Sequence, residues 1–483
     1  MVNDIRADYN QQRLFPRRLE DWLDERHPAR FIREFVESLS LKKLGFHEHK
    51  LRTGRPPYST ELKLKIWVYG YFKKIYSTRG LEAATYDNVG MMWLSGEHHP
   101  DHNVLWDFWD KNRKAIRKVF RKVTHVARRS GWIGMVLHVL DGTKIQGAVS
   151  NGTGMTLEEM KLEQAWIDSS IDSIIELIES RRKKDDSIDL EQACEVLKIN
   201  SLSVESLISE LEAIDREQIN PHDLDARKMK CGRTTDFAYN AQAVVDSDSG
   251  LIVAQDVVND EGDNRMLTPM IVQVEENLGA HACETAADGG FYSPEQLMKA
   301  EEAGMGVLVN ISEQIEPKGD GNEYHKSKFR YDAERDLVIC PQSKELRLEC
   351  VKKSKKYKLR VYRCHHGKEC PFAKDCTKDK RGRSIEIEEP YEVIRRQINK
   401  QKDLYKKEQL AKRKEIVEPV FGIIKHCMGF WRFTVRGLEN VKTQWSLICT
   451  AFDLRKLYEV WKIGKLVFGY ENISFPSSKS ASK

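Results

Sequence analysis

MVLHVLD, residues 135–141, is a short apolar run that ends in a carboxylate. It is too short for an independent helix and reads as a buried strand with an acid at its C-terminal end. HACETAAD (281–288) repeats the pattern, with Gly289 and Gly290 behind its last acid. Between them, FAYNAQAVVDSDSGLIVAQDVV (237–258) reads as two strands joined by a turn at Ser247 to Gly250. A helix is expected from about Asn264 to Leu278. SPEQLMKAEEAG (293–304) reads as another, with Ser293 as cap, Pro294 in its first turn and Gly304 past its end. GVLVNI (306–311) supplies a fifth strand.

Two segments of different composition interrupt this series. Residues 156–220 read as charge-rich amphipathic helices, hence a helical hairpin inserted over 150–230. Residues 316–390 are rich in cysteine and basic side chains. The pattern is again helical from about Pro390 to Lys414, and LENVKTQWSLICTAFDLRKLYEVWKIG (438–464) is a long amphipathic helix. Without the insertions, the order of strands and helices is that of an RNase H-like fold. The expected class is therefore α/β: a mixed five-stranded sheet with flanking helices over 131–465, carrying both insertions.

Residues 1–130 read as an all-α N-terminal domain. RRLEDWLDERHPARFIREFVESL (17–39) has helical apolar spacing. After Pro56 and Pro57, Ser59 or Thr60 can cap a helix that uses Leu62, Ile66 and Tyr69, and Ser77 and Thr78 offer a second cap. Helix, short turn and helix with basic flanks resemble a helix-turn-helix DNA reader. The tail, 466–483, is polar and expected to be disordered.

The chain has 483 residues, of which 40% are hydrophobic and 32% charged, a globular balance. No apolar stretch approaches the ~18 residues of a membrane span, and MVNDIRADYNQQ lacks the apolar core of a signal peptide, so a cytoplasmic protein is expected. The net charge of +5 says little, but VKKSKKYKLRVYR (351–363) holds seven Lys and Arg and no acid. Lys352, Lys353, Lys355, Lys356 and Arg360 could neutralise phosphates there, with a solvated charged hairpin as the alternative. Five of the ten cysteines fall between Cys340 and Cys376. In a reducing compartment such clustering favours metal over disulfide. Cys340, Cys364, Cys370 and Cys376 could hold a structural zinc ion, with free thiols in a small β insertion as the alternative.

Asp141 and Asp288 end equivalent strands, so their carboxylates can converge. Either alone reads as a turn residue or a helix cap. Together, with a third acid from a later helix, they suit two Mg²⁺ (or Mn²⁺) ions about 3.5–4 Å apart, which serve phosphodiester chemistry.

VLDGTKI (139–145), AYNAQAVVD (238–246), TAADGGFYS (285–293) and VEPVFGIIK (417–425) resemble the signature blocks of bacterial insertion-sequence DDE transposases. GRPPYSTELKLKIWVYGYFKKIYSTRGLE (54–82) resembles their helical N-terminal domain, and RGLENVKTQWSLICTAFDLRKL (436–457) the helix that closes their catalytic domain. The resemblance implies catalytic and metal-holding roles for Asp141, Asp288 and Glu418, with Glu415 as the rival third acid. It implies a phosphate contact for Lys425, seven residues past Glu418. The family often has Tyr and Arg at fixed offsets before this Glu; here those places hold Ala411 and Lys414, with Arg413 one place off. Pro419 suggests a helix start or kink. The implied function is cleavage of double-stranded DNA at element ends and joining of the 3′-OH to a target, by a homodimer or larger assembly near the bacterial nucleoid. The alternatives are a catalytically inactive, transposase-derived DNA-binding protein and an RNase H-like nuclease that does not join strands.

Overall fold

The computed structural model describes residues 18–47, 56–181, 188–214, 218–311, 323–332, 334–353, 358–366, 369–379, 381–388 and 391–468. The N-terminal part is helical: α1 (Pro28–Glu37), α2 (Leu41–Leu44), α3 (Thr60–Phe72), α4 (Thr78–Asp87), α5 (Val89–Ser95) and α6 (His102–Arg129). Both expected caps are in place. Ser59 accepts from the Leu62 amide at 3.1 Å, and Ser77 from the Gly80 amide at 3.1 Å. The helix-turn-helix expectation fares differently. Every residue of α3 from Lys63 to Phe72 is buried, because apolar side chains fall on all its faces. With no free face, α3 is a core helix and cannot lie across a DNA backbone.

β1 (Leu137–Gln146) leads into the inserted hairpin. Two short strands, β2 (Met155–Thr156) and β3 (Gln218–Ile219), close its stem; its arms are α7 (Leu157–Arg181) and α8 (Ile188–Ile214). The chain then forms β4 (Arg227–Cys231), β5 (Thr234–Asp246), β6 (Ile252–Val258), α9 (Leu267–Leu278), β7 (Glu284–Ala287), α10 (Pro294–Glu302) and β8 (Val307–Val309). β5 runs antiparallel to β1 and β6, while β7 is parallel to β1 and β8. Among the described residues the sheet has six strands, not the five expected. The extra one, β4, pairs with the first part of β5, up to Ala238, and β6 pairs from Asn240 onward. The thirteen-residue β5 is long enough to serve both.

The cysteine segment forms its own antiparallel sheet from β9 (Arg330–Asp332), β10 (Leu337–Ile339), β11 (Glu345–Lys353), β12 (Lys358–Cys364) and, after the short α11 (Ala373–Cys376), β13 (Ser384–Glu388). The chain ends in α12 (Tyr391–Lys402), α13 (Leu404–Gly422) and α14 (Leu438–Lys462). Pro419 neither starts nor ends α13 but sits inside it, four residues before a π-helical turn at Ile423–Cys427. A proline at that point removes one amide from the ladder, and wider turns often accompany such an interruption.

One continuous core joins the helical part to the large sheet, from Phe31 and Trp67 through Val244 to Trp445. Trp445 is fully buried and its indole N–H donates to the Gln242 carbonyl at 3.0 Å, which pins α14 to β5. Among the described residues the small sheet has a separate core cluster of six buried side chains.

Candidate active site

Asp141 was expected at the end of its strand. It lies in the middle, because β1 runs on to Gln146 along β5. The parallel neighbour β7 stops opposite Leu140, at Ala287. Asp141 therefore stands at the first position where β1 has lost its partner on that side, and Asp288 follows the last residue of β7. Parallel strands in register put these two carboxylates side by side. Their repulsion is one of the causes that raise the Asp141 carboxyl to about 6, burial being the largest.

Each carboxylate is fixed from its own loop or strand. Asp288 caps a 3₁₀ turn and accepts from the Gly290 amide at 2.9 Å. Asp141 accepts from the Gly142 amide at 2.8 Å through Oδ1, while Oδ2 accepts from Arg413 Nη1 at 2.9 Å. Arg413 projects from α13, which crosses β1, β5, β7 and β8. The residue one place off the family offset is thus the one that reaches the first acid. A sequence signal existed: Arg413 shares a helical stripe with Val417, Val420 and Ile424, all buried. An arginine on an apolar stripe needs a buried counter-charge.

Lys425 also reaches β1. Its ammonium donates to Thr143 Oγ1 at 2.6 Å and to the Lys144 carbonyl at 3.3 Å. Thr143 is two residues from Asp141 and so on the same sheet face. Burial holds the Lys425 ammonium below its usual range.

Glu418 is exposed on α13, as is Glu415. Among the described residues no three His, Cys, Asp or Glu side chains stand ready around one metal position. The structure thus brings Asp141 and Asp288 together and sets Glu418 on the helix that crosses them, without closing a three-carboxylate ring. Helical phase separates the rival acids. Glu415 is about 200° around the helix from both Arg413 and Val417, the residues that face the sheet, and so points away from it. Glu418 lies one turn before the buried Phe421 and two turns before Lys425.

The other face of β1 holds a network that sequence reading missed. Asn240 and Gln242, both fully buried, each donate to Asp263 Oδ1 at 2.6 Å, and Lys144 Nζ lies 3.6 Å from the same oxygen. Gly142 leaves room for it: a Cβ there would lie 2.6 Å from Gln242 Nε2 and 3.0 Å from Asp263 Oδ1. A Cβ on Gly290, in the Asp288 turn, would lie 3.4 Å from the second Asp263 oxygen. The network therefore ties β1 and β5 together through Asp263, beside the Asp288 turn.

The expected phosphate-binding side chains divide. Lys352 is exposed but pairs with Glu386 at 2.7 Å, and Arg360 pairs with Asp336 at 2.9 Å. Lys353 is on β11, and Lys355 and Lys356 lie outside the described residues. A second basic surface went unread in the sequence. Residues 111–129 of α6 carry nine Lys and Arg and no acid, with Lys114, Lys118, Arg121 and Lys122 exposed.

Cys340, Cys364, Cys370 and Cys376 line one cavity of the small sheet. Among the described residues no helix is long and apolar enough to cross a membrane.

Residues 339–458 match the Transposase DDE domain, and residues 17–111 match a Transposase domain (DUF772). The first match holds Glu418, Lys425, Arg413 and all four clustered cysteines; the second holds α1 through α5 and the start of α6. No curated protein and no solved structure matches.

Proposed function

We propose that this chain, an insertion-sequence DDE transposase, cuts DNA at the ends of its element and joins the freed 3′-OH to target DNA. The observation that carries the reading is the pairing of Asp141 with Asp288 at the edge where β7 ends. Two like charges held side by side under partial burial call for a cation, and their oxygens are the donors that Mg²⁺ or Mn²⁺ prefers. In this reading Glu418 is the third ligand, swung in from α13. Two such ions supply an activated nucleophile and stabilise the departing oxygen.

The chain's own residues do the rest. Asp141, Asp288 and Glu418 would hold the ions at the sheet edge, and the ions would offset the charge of the scissile phosphate there. Lys425, held on β1, contacts a neighbouring phosphate. Arg413 supplies the counter-charge to Asp141 before DNA arrives. In the first step a water oxygen bonds to phosphorus, the P–O3′ bond breaks, and the leaving oxygen takes a proton to become a 3′-OH. In the second, that 3′-OH bonds to a target phosphorus and one target P–O bond breaks, so the number of phosphodiesters is conserved. Two element ends must be held at once, so the working form is a dimer or larger assembly on double-stranded DNA, at the nucleoid in the bacterial cytoplasm. The exposed basic face of α6, together with Lys352, Lys353, Lys355, Lys356 and Arg360, provides phosphate contacts. Lys352 and Arg360 must first exchange a carboxylate for a phosphate.

The test is a strand-transfer assay with precut element ends in Mg²⁺. The reading expects joined products from the parent chain and none from Asp288→Asn. Cleavage without joining would identify a nuclease instead, and DNA binding without either step an inactive relative.

A further inference from the structure

Four cysteines reach the same cavity from separate turns of the small sheet. Cys340 is in the turn between β10 and β11, Cys364 ends β12, Cys370 lies in the following loop and Cys376 ends α11. Each position is held by backbone contacts. The Cys340 amide donates to the Lys344 carbonyl at 2.9 Å, and the Lys344 amide donates back to Cys340 Sγ at 3.2 Å. An amide aimed at sulfur stabilises a thiolate. The Cys364 amide donates to the Arg383 carbonyl at 2.9 Å. Gly382 lets that approach happen: its φ is +94°, and a Cβ there would lie 2.2 Å from the Cys364 carbonyl oxygen. Phe329 and Leu346 wall the cavity with apolar surface. No disulfide joins the four. Burial, and the proximity of Cys340, Cys364 and Cys370, push the Cys376 thiol up, while Arg383 opposes this.

We propose that Cys340, Cys364, Cys370 and Cys376 form a structural site for one zinc ion, which fastens the β10–β11 turn to the end of β12. Thiolates are the donors zinc prefers, and four of them close the coordination sphere, which excludes catalysis at this metal. The thiols do not yet stand around a common point. Zinc binding would draw the four sulfurs together, within the cavity they already line, to about 2.3 Å from the ion. The six-residue core explains the need, since so small a core holds a sheet poorly without a staple. The zinc also anchors β11 and β12, the strands of the basic run. This site stands or falls independently of the transposition chemistry.

The experiment is elemental analysis of the full chain purified without chelator, with titration of its thiols by an organomercurial. The expected result is about one zinc per chain, released in step with about four thiol equivalents. Cys370→Ser and Cys376→Ser should each lower the zinc content by about tenfold. Cys350→Ser, at an exposed position of β11, should leave it unchanged. Titration of the parent chain needs no variant to fold. A parent chain that takes up no zinc when the metal is supplied, with the four cavity thiols titrating as readily as the exposed Cys350, overturns the proposal. So does zinc that persists in both Cys370→Ser and Cys376→Ser.

Discussion

The large sheet and the cysteine sheet both gather residues that suit a metal, but they differ in what holds the gathering together. Around the large sheet, Asp141 and Asp288 are set by strand register, by turn amides and by Arg413, over a core that runs through most of the chain. In the cysteine sheet, the four thiols rest, among the described residues, on a cluster of six buried side chains and a few turns. A large core can keep two carboxylates close against their repulsion without an ion. A small one needs the ion to define its shape. Metal removal should therefore abolish activity at the first site and loosen structure at the second.

The largest expected effect is on activity. Asp141→Asn or Asp288→Asn should slow strand transfer by at least about 10²–10³-fold, the scale of losing one preorganised electrostatic partner. The circular dichroism of the purified variants should be unchanged. Next comes stability. Trp445→Ala removes a fully buried indole and its bond to β5, and should cost about 3–5 kcal/mol by denaturant titration. A change below ~1 kcal/mol would mean that α14 does not close the catalytic core.

A pH effect follows from Asp141. Its folded pKa, about 6, is raised above the ordinary 3.8. The contribution of its protonated form is thus fully present below about pH 4 and is lost as pH rises through 6, at most about 3 kcal/mol for the metal-free chain. Mg²⁺ should restore the loss above pH 6 and do little below it, because protons and metal compete for the same carboxylate. Melting temperatures with and without Mg²⁺ across this range test the sign; stabilisation by Mg²⁺ that is equal at pH 5 and pH 7 would contradict it. The smallest effect concerns the brace behind β1. Gly142→Ala pushes a methyl into Gln242 and Asp263, and should cost about 1–3 kcal/mol and slow transfer without removing a ligand.

The sequence made the two halves of the molecule legible to different depths. Asp141 and Asp288 could be found because short apolar runs ending in acids are local patterns. The end of β1 could not, since it depends on how far β5 extends and where β7 stops. α3 looked like half of a DNA-reading pair because its caps are local, whereas its burial comes from α1, α5 and α14. Arg413 was visible, but only the crossing of α13 over β1 shows what it touches. For the cysteines, spacing suggested a cluster, and the turns that bring Cys340 beside Cys364 came only with the fold.

The central claim is that Asp288 shares a metal with Asp141, and ligand softness tests it most directly. Replacing Asp288 with cysteine exchanges a hard oxygen for a sulfur that Mg²⁺ binds poorly and Mn²⁺ tolerates better. The account predicts that Asp288→Cys loses strand transfer in Mg²⁺ and regains a measurable part of it in Mn²⁺. Strand transfer by Asp288→Cys in Mg²⁺ at the parent rate would contradict it.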